Sequence, residues 1–529
     1  MAKLQMARLG LSGNMGYANS SSSSSSSGSS SSLGPGNNNN DTVDGDSHAS
    51  QPDKPERHVH WSQSVDDHEN ASGINAEEGL PLFAPPAANN VNVSQAWANK
   101  RSASSSRRLW VWSKLRARFT MAMLFLLLPA ALYLTFLWLR EQDLNAKWRP
   151  DRESLLFNRK PLPAPLERTW ISTYKLPLRT QGRNIVDADG HRFKLSSINW
   201  YGASDELFVP GGLDVQHRSV IADTIKKMGF NSVRLPYADE LVMKNPVIEP
   251  GLVLANPDLQ GLRAMDIFEA VTAALTDAGI AVIVNNHITR ATWCCGADPC
   301  DAGWANDHLG PLCAVKQTEE EWIQHWEEVM GRFVHNPLVI GADLRNEVRG
   351  LWGTMPWSKW AAAAEKCGNR LLKMKSDWLI IVEGTESAND VSGALDRPVR
   401  LDVENRVVYS AHGYKWSGWG SWQGRFAQRS YKSFVKTMRR NWAYLLEVDL
   451  APVWFGELGA PSDPSVGDVH YWSNLMRYLK SIDADFGYWA LNPRKPKDGE
   501  KETYSLVQDD WVTPVLDYRM KDLQELIRQ

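Results

Sequence analysis

The sequence predicts an α/β protein whose main domain is a closed (β/α)8 barrel, or TIM barrel, preceded by a disordered N-terminal tail and one transmembrane helix. Three observations support this prediction. After about residue 165, short apolar runs alternate with amphipathic segments, a pattern typical of a parallel sheet with crossover helices. Eight such runs are present, the number that closes a barrel. Before them, an uncharged apolar stretch follows a long serine-rich region.

The N-terminal region, residues 1–107, has the composition of a disordered segment. Residues 20–32 are serine except for Gly28, and residues 37–40 are all asparagine. Such a region has too few apolar side chains to offset the entropy lost when a chain becomes ordered. We therefore expect it to form no core.

A membrane span is predicted for residues 120–139, which contain 20 residues without a charge. This length suffices to cross a hydrocarbon core of about 30 Å; a buried core helix is the alternative. A basic segment, 108–119, precedes it. Residues 100–119 carry seven Lys or Arg, against five in 140–159, which predicts a single-pass type II protein with a cytosolic N-terminus and a lumenal or extracellular C-terminal domain. Residues 140–165 are rich in Pro and Arg and are predicted to be a stalk.

The C-terminal domain, residues 166–529, contains the barrel pattern. Amphipathic helical segments separate most of the strand candidates, although 385–405 lacks a clear long helix. A short hairpin is predicted around Asp187, Asp189 and Gly190. An open doubly wound sheet is the alternative fold, but no Gly-rich phosphate turn follows any strand candidate. The strand candidates are 193–200, 231–237, 280–287, 339–347, 378–384, 406–414, 451–459 and 485–492.

Polar side chains concentrate where these strands end. In a barrel the reactive groups lie at the carboxyl ends of the strands, so such residues are candidates for a site. An ionised Glu near a core costs several kcal/mol unless it is paired, so two of them, Glu347 and Glu457, indicate a shared site. A structural ion pair with Arg234 is the alternative. The strand-end candidates are Arg234, His287, Asn346, Glu347, His412, Tyr414, Glu457 and Trp489.

Paired carboxylates suit hydrolysis of a glycosidic bond, because one protonates the leaving oxygen and the other meets the developing positive charge on the sugar. A gap of about 5 Å between them leads to retention of configuration, and a gap of about 6.5–9.5 Å to inversion. The net charge of -3, from 58 basic and 61 acidic residues, excludes a nucleic-acid-binding protein held by bulk charge.

Six ordered motifs make the region from about residue 180 to 529 resemble glycoside hydrolase family 5, the cellulase family of the retaining clan A barrels. The resemblance implies that Glu347 is the acid/base and Glu457 the nucleophile. It implies that Arg234 and Tyr414 keep the nucleophile ionised, and that Asn346 binds the sugar 2-hydroxyl. It also implies that His287 and His412 position hydroxyls or carboxyls, and that Trp489 forms the floor of the cleaved sugar's subsite. The motifs are DLRNE (343–347), WFGELG (454–459), SVRLP (232–236), NNH (285–287), AHGY (411–414) and GYWALN (487–492).

The loop after the third strand carries Cys294, Cys295, Cys300 and Cys313, and Cys367 lies on a predicted helix. Disulfides in an oxidising compartment are favoured over a zinc site, because the gaps between the cysteines lack a regular C-x2-C repeat. Two bridges from five cysteines allow 15 pairings, which remain open. Some tryptophans that follow strands are expected to line a glycan cleft: Trp293, Trp304, Trp352, Trp357, Trp416, Trp419 and Trp422.

Together these features predict a membrane-anchored, retaining β-glycosidase of the cellulase type, acting on a β-linked polysaccharide or other glycan as a monomer. The proposed chemistry requires no metal or organic cofactor, and we expect none. Two alternatives remain: a glycosidase or transglycosidase that acts on a lipid-linked glycan, and a non-catalytic barrel that only binds glycans.

Overall fold

The computed structural model describes residues 94–529 except 351–354, 419, 420, 422, 497 and 498, and it describes side chains from residue 108 onward. Most of the predicted tail, residues 1–93, therefore lies outside the described residues. A first helix, α1, covers Ser94–Asn145 and includes the apolar stretch. It begins within the segment predicted as tail, where Ala, Lys and Arg are good helix formers.

Within α1, the segment Arg108–Asn145 is long and apolar enough to cross a membrane, and its most apolar window is not buried against the protein. Its uncharged part contains Pro129, which is tolerated in lipid-embedded helices. The alternative of a buried core helix is therefore wrong, since side chains 108–139 are all exposed.

A closed ring of eight parallel strands forms the centre of the protein. The ring closes where the last strand pairs with the first, with Phe486 opposite Ser196. This closure excludes the open doubly wound sheet. Six of the eight strands fall within the predicted ranges, and β4 and β5 each extend one residue beyond theirs: β3 (Ser196–Asn199), β4 (Ser232–Ala238), β5 (Ala281–Ile288), β6 (Val339–Asp343), β7 (Leu379–Glu383), β8 (Val407–Gly413), β9 (Val453–Leu458) and β10 (Asp485–Tyr488).

Helices pack around this ring and bury their apolar faces against the strands. Two of them begin with capping boxes, at Thr318 and Ser465, in which side chain and backbone satisfy each other's hydrogen bonds. The helices are α2 (Arg152–Phe157), α3 (Arg218–Lys227), α4 (Asp239–Lys244), α5 (Ala264–Asp277), α6 (Glu319–Gly331), α7 (Trp357–Met374), α8 (Tyr431–Met438, continued by a π-helical turn Arg439–Ala443 and by Tyr444–Glu447), α9 (Val466–Ser481) and α10 (Tyr518–Ile527).

The connection between β7 and β8 contains only a short turn, Thr385–Ala388, and a 3-10 turn, Ser392–Leu395. Its backbone instead pairs with itself and with the π-helical turn that follows α8. The Val391 N–H donates to the Asn441 carbonyl over 2.9 Å. The sequence showed no clear long helix between β7 and β8, and the structure has none there. This connection packs against the π-helical turn of α8 instead.

A hairpin closes the amino-terminal end of the barrel. It consists of β1 (Arg179–Gln181) and β2 (Asn184–Val186), and Val186 also pairs with Arg192 across the predicted turn. Ile185 of the hairpin packs in one buried cluster with inward-facing strand residues such as Ile283. The opposite end of the barrel, where the strands finish, is therefore the end that is open for a functional site.

Candidate active site

The described structure brings all eight predicted site residues to the carboxyl end of the barrel. Six of them line one cleft of about 340 Å³, a volume within the usual range of ligand sites. Arg234 lies beneath the cleft and is fully buried, and His412 lies in its base at 2% exposure. The six lining residues are His287, Asn346, Glu347, Tyr414, Glu457 and Trp489.

The two candidate carboxylates meet although they are far apart in the chain. Glu457 ends β9, and Glu347 lies in the turn after β6. One carboxylate oxygen of each lies within 4.8 Å of the other, with a ring nitrogen of His412 equally close. Glu457 is buried, whereas the Glu347 side chain keeps 16% of its surface exposed to the cleft. Both groups can therefore reach a single sugar ring.

Arg234 organises the base of the cleft by using all five of its N–H donors. Its Nε donates to Asp343 Oδ2 over 2.7 Å, and Nη1 donates to Glu457 Oε1 over 2.5 Å. The remaining donors reach Asn199 Oδ1, Asn346 Oδ1 and Glu383 Oε1, at 3.0, 2.7 and 2.8 Å. A guanidinium that is bound on every edge is held in one orientation, and it orients its acceptors in turn.

The second oxygen of Glu457 accepts a hydrogen bond from the Tyr414 hydroxyl over 2.8 Å. Burial and the neighbouring carboxylates raise the pKa of Tyr414 well above its ordinary value, so the phenol keeps its proton and remains a donor. Glu457 thus receives one charged and one neutral donor, an environment that stabilises an anion.

Glu347 has a different environment. Burial raises the pKa of Glu347 to about 7, although Arg349 and Arg234 oppose the shift. Its backbone φ is 47°, in the left-handed region that non-glycine residues seldom adopt. A carboxyl group that keeps its proton near neutral pH can act as an acid. The surroundings of the two glutamates therefore differ: Glu457 accepts hydrogen bonds from Arg234 and Tyr414, whereas burial raises the pKa of Glu347.

His412 lies between the two carboxylates, because its position on β8 pairs in register with Glu457 on β9. Its Nδ1 lies 3.2 Å from Glu347 Oε1 and 3.8 Å from Glu457 Oε2. Burial lowers the pKa of His412 to about 4, with Glu457 opposing the shift, so the ring is neutral at physiological pH. A neutral imidazole can bond to a carboxyl group without adding a charge to the site.

Comparison with known proteins identifies the family of this chain. The family model described as Cellulase (glycosyl hydrolase family 5) matches residues 186–495, more than half of the 529-residue chain. The chain belongs to glycoside hydrolase family 5. The resemblance seen in the six sequence motifs is thereby confirmed, and the protein is a glycoside hydrolase.

Several individual proteins are also similar to this chain. An endoglucanase from Paenibacillus polymyxa is 32% identical over 351 residues, which cover 63% of this chain and 83% of that protein. The major extracellular endoglucanase of Xanthomonas campestris pv. campestris is 26% identical, covering 63% of this chain and 67% of that one. A solved endocellulase from the archaeon Pyrococcus horikoshii has a TM-score of 0.56 and 26% identity, covering 66% and 98% of the two chains. A cellotetraose complex of that endocellulase gives a TM-score of 0.54 at 26% identity, with coverage of 67% and 100%.

Sequence reasoning missed a third carboxylate in this family 5 site, Glu383. It ends β7, so the strand-end rule that selected the other two could have found it. The side chain is fully buried, and burial together with the Asp343 carboxylate raises its pKa well above the ordinary value. Its Oε2 accepts the backbone N–H of Glu347 over 2.7 Å, while its Oε1 accepts from Arg234. Glu383 therefore connects the guanidinium to the backbone that holds Glu347 at positive φ.

This arrangement predicts a positioning role for Glu383. We expect Glu383→Ala to lower kcat by about 100-fold with little change in KM, because Glu347 then shifts relative to the bound sugar. Glu383→Gln keeps an acceptor for one of the two donors and should restore part of that loss. Steady-state kinetics on a cello-oligosaccharide would check this, with circular dichroism to verify folding. Equal losses in the two variants, or a change confined to KM, would contradict the role.

Aromatic rings form a wall of the family 5 cleft. Trp489 stacks on Tyr201 with the ring planes at 1° and on His287 at 12°. Burial lowers the pKa of His287 well below its ordinary value, and its Nδ1 lies 2.8 Å from Asn285 Oδ1. Flat apolar faces of this kind fit the C–H faces of a pyranose ring.

The tryptophans predicted to line the cleft divide into three groups. Trp293 and Trp416 do line it. Trp304 is buried in the core at 2% exposure, and Trp357 packs beside Tyr409. The other three, Trp352, Trp419 and Trp422, lie outside the described residues.

The cysteine loop also borders the cleft. Cys294 is bonded to Cys295, and Cys300 to Cys313, while Cys367 is a buried free thiol. Disulfides were thus correctly favoured over zinc. The Asn346 amide nitrogen lies 3.4 Å from Cys294 Sγ and 3.2 Å from Cys295 Sγ. The vicinal disulfide therefore contacts the asparagine beside Glu347.

Two groups in the described part of the chain have the spacing of metal ligands: His287 with Cys294 and Cys295, and Glu347 with His412 and Glu457. In the first group the two sulfurs are bonded to each other, which removes the thiolates that a metal would need. In the second, both Glu457 oxygens already accept from Arg234 and Tyr414, and the guanidinium charge repels a cation. These contacts favour acid/base and nucleophilic roles over metal binding.

Proposed function

We propose that this protein is a retaining β-glucan endohydrolase, anchored in a membrane by α1, with Glu457 as nucleophile and Glu347 as acid/base. The proposal rests on one observation above all: the two carboxylate oxygens lie within 4.8 Å of each other. This distance is shorter than the gap of about 6.5–9.5 Å that accommodates a water in inverting enzymes, so it favours retention of configuration.

In the first step, a Glu457 oxygen attacks the anomeric carbon while the bond from that carbon to the leaving oxygen breaks. Glu347 transfers its proton to the leaving oxygen, so the departing sugar leaves as an alcohol. In the second step, Glu347 takes a proton from water, the water oxygen attacks the same carbon, and the Glu457 carboxylate is released. Two displacements return the original configuration.

The supporting residues have matching tasks. Arg234 and Tyr414 hold Glu457 by hydrogen bonds to its two oxygens, so one of them must loosen as the glycosyl bond forms. Asn346, bound through its oxygen to Arg234 and through its amide nitrogen to the sulfurs of Cys294 and Cys295, lines the cleft next to Glu347. There it can bind the sugar 2-hydroxyl, a contact that strengthens in the transition state. Trp489 forms the apolar floor for the same sugar.

A β-glucan is the substrate class that the relatives support. The relatives from Paenibacillus polymyxa and Xanthomonas campestris are endoglucanases, and the Pyrococcus horikoshii endocellulase has been solved with cellotetraose. The cleft of this chain is lined by polar groups and flat aromatic rings, which suits a chain of sugars.

Membrane attachment is supported by the 20 uncharged residues 120–139 and by the full exposure of that stretch of α1. A buried helix would have its apolar side chains covered by the barrel. The basic bias before the span supports a cytosolic N-terminus, and the two disulfides suit a catalytic domain in an oxidising lumen or outside the cell.

The pKa of Glu347 makes the pH dependence a test of its role. An acid must be protonated to act, so kcat/KM should fall as the pH rises through about 7 rather than through the ordinary glutamate value of 4.5. We expect Glu347→Gln to lose this descending limb. That variant should still release dinitrophenol from an aryl β-glycoside, a leaving group that needs no proton. A descending limb that persists in the variant would assign it to another group.

The proposed function is tested by incubating the full-length protein with a panel of β-glucans and recording the first product by proton NMR. Retention predicts that the β-anomer appears first and then mutarotates. A 2-fluoro glycoside that traps the glycosyl enzyme should label Glu457, identified by peptide mass. Turnover giving the α-anomer first would disprove the mechanism, and a protein that binds glucan but neither turns it over nor becomes labelled would be a binding module.

A further inference from the structure

The carboxyl-terminal end of α1 is docked on the barrel. The Arg140 guanidinium donates to the Gln428 carbonyl, and the Gln428 amide donates to Glu141 Oε2 over 3.3 Å. Arg425 lies 3.5 Å from the other Glu141 oxygen. These contacts begin one residue after the apolar stretch ends at Leu139. The predicted stalk therefore does not separate the span from the barrel.

The residues that follow α1 continue this attachment. The Trp148 N–H donates to the Pro464 carbonyl over 3.0 Å, and the Val466 N–H donates to the Ala146 carbonyl over 2.8 Å. Lys147 forms an ion pair with Asp463 at 2.9 Å. A short antiparallel bridge thus joins the segment after α1 to the loop between β9 and α9.

Both docking loops follow strands at their carboxyl ends, so α1 ends on the same face of the barrel as the cleft. Trp416 lies between the two features, because it lines the cleft and also a second groove that Leu144 of α1 lines. It stacks on Tyr414 with ring centroids 4.6 Å apart, and Tyr414 donates to Glu457. Two stacked rings therefore separate the end of α1 from the proposed nucleophile.

The height of this rim above a bilayer follows from the helix geometry. A helix rises 1.5 Å per residue, so Glu141 lies about 3 Å beyond Leu139. The headgroup region on each side of a bilayer is about 5–8 Å thick. With Leu139 at the edge of the hydrocarbon core, the part of the rim that contacts Glu141, formed by Arg425 and Gln428, lies among the headgroups.

Given the proposed function and membrane span, we propose that the cleft opens at the membrane surface and cleaves β-linked glycan held there, close to a lipid anchor. A site on a free stalk of 26 residues, 140–165, could reach polysaccharide far from the bilayer. The docked helix end instead holds the cleft beside the headgroups. Its substrate is then a membrane-tethered glycan.

The test uses full-length protein in lipid nanodiscs that also contain cello-oligosaccharides conjugated to a lipid. The conjugates carry either no spacer or a flexible spacer of about 50 Å, and free oligosaccharide is assayed in parallel. We expect the conjugate without a spacer to be cleaved at least tenfold faster than the one with the long spacer. Cleavage of only the long-spacer conjugate would overturn the proposal. Cleavage of neither conjugate, with free oligosaccharide still turned over, would overturn it as well.

Two outcomes separate this inference from the function on which it rests. If free oligosaccharide is not cleaved either, the hydrolase assignment fails. If the protein does not incorporate into nanodiscs, the anchoring fails and the present inference fails with it.

A double variant tests the docking itself. Glu141→Ala with Lys147→Ala removes side-chain contacts to both loops and touches neither carboxylate of the site. We expect turnover of free oligosaccharide to stay within about twofold of the parent, while the preference for the conjugate without a spacer disappears. The control is Arg439→Ala with Glu447→Ala, an exposed ion pair on another part of the barrel, which should keep the preference. A docking variant that also keeps it would refute the role of the Glu141 and Lys147 contacts in holding the cleft at the membrane.

Discussion

Replacement of Glu457 by Gln is expected to lower kcat on a β-glucan by roughly 1,000-fold or more while the barrel stays folded. The amide keeps the size of the side chain and an oxygen for Arg234, but it cannot form the glycosyl bond. A loss of this size corresponds to about 4 kcal/mol of transition-state stabilisation. Steady-state kinetics would measure the loss in kcat, and a thermal melt of the same preparation would verify that the barrel stays folded.

The matched control for this prediction is Glu502→Gln. Glu502 lines the same cleft and accepts from the Tyr201 hydroxyl at 3.3 Å. It contacts neither Glu347 nor the Arg234 network, so its replacement should cost less than tenfold in kcat. Near-normal turnover by the Glu457 variant would remove the nucleophile assignment.

Chemical rescue sharpens the test. In Glu457→Ala, azide can occupy the vacated space and attack the anomeric carbon of an activated β-glycoside. The product of this single displacement should be the α-glycosyl azide. Formation of the β-azide, or no rescue at any azide concentration while Glu347→Ala is rescued to that same α-product, would reverse the roles of the two residues.

Replacement of Arg234 by Met is expected to have the largest effect on stability. It removes five hydrogen bonds and leaves the carboxyl groups of Asp343, Glu383 and Glu457 buried together without a countercharge. Breaking a single buried pair in this way costs about 3–5 kcal/mol. Urea unfolding of the purified protein, monitored by tryptophan fluorescence, should show a loss of at least this size.

Two further variants make this result interpretable. Arg439→Met breaks an exposed pair with Glu447 and should change the unfolding free energy by less than about 1 kcal/mol. Arg234→Lys keeps the charge but cannot bond to all five acceptors, so it should fold and still lose most of its activity. An Arg234→Met protein as stable as the parent would mean that the buried carboxyl groups need no cation.

Local sequence pattern was sufficient to predict the barrel and the pair of glutamates. The eight apolar runs have the length of buried strands, and helices between them force a parallel arrangement. Once the barrel is predicted, every strand end points to one face, so Glu347 and Glu457 can be placed together across 110 positions. Glu383 obeys the same rule, but its contact with the Glu347 backbone depends on a turn that no local pattern describes.

In the cysteine loop, too, the sequence predicted one property and the fold decided another. Its composition indicated disulfides, whereas the pairing depended on which sulfurs the fold brings within bonding distance. The predicted segment 140–165 is a second case: its Pro and Arg content is typical of a linker, yet the structure docks its first residues on loops almost 300 positions away. Contacts of this kind depend on the shapes of both partners.

The amino-acid sequence by itself determined the class of fold, the family and the two acidic residues, because periodicity and strand-end chemistry are properties of short segments. Tertiary structure decided the gap between the carboxylates, the burial that raises the pKa of Glu347, the two donors that Glu457 accepts from, and the position of the end of α1 beside the cleft. Each of these depends on distances between residues that are remote in the chain, and those distances exist only after the strands have closed into a ring.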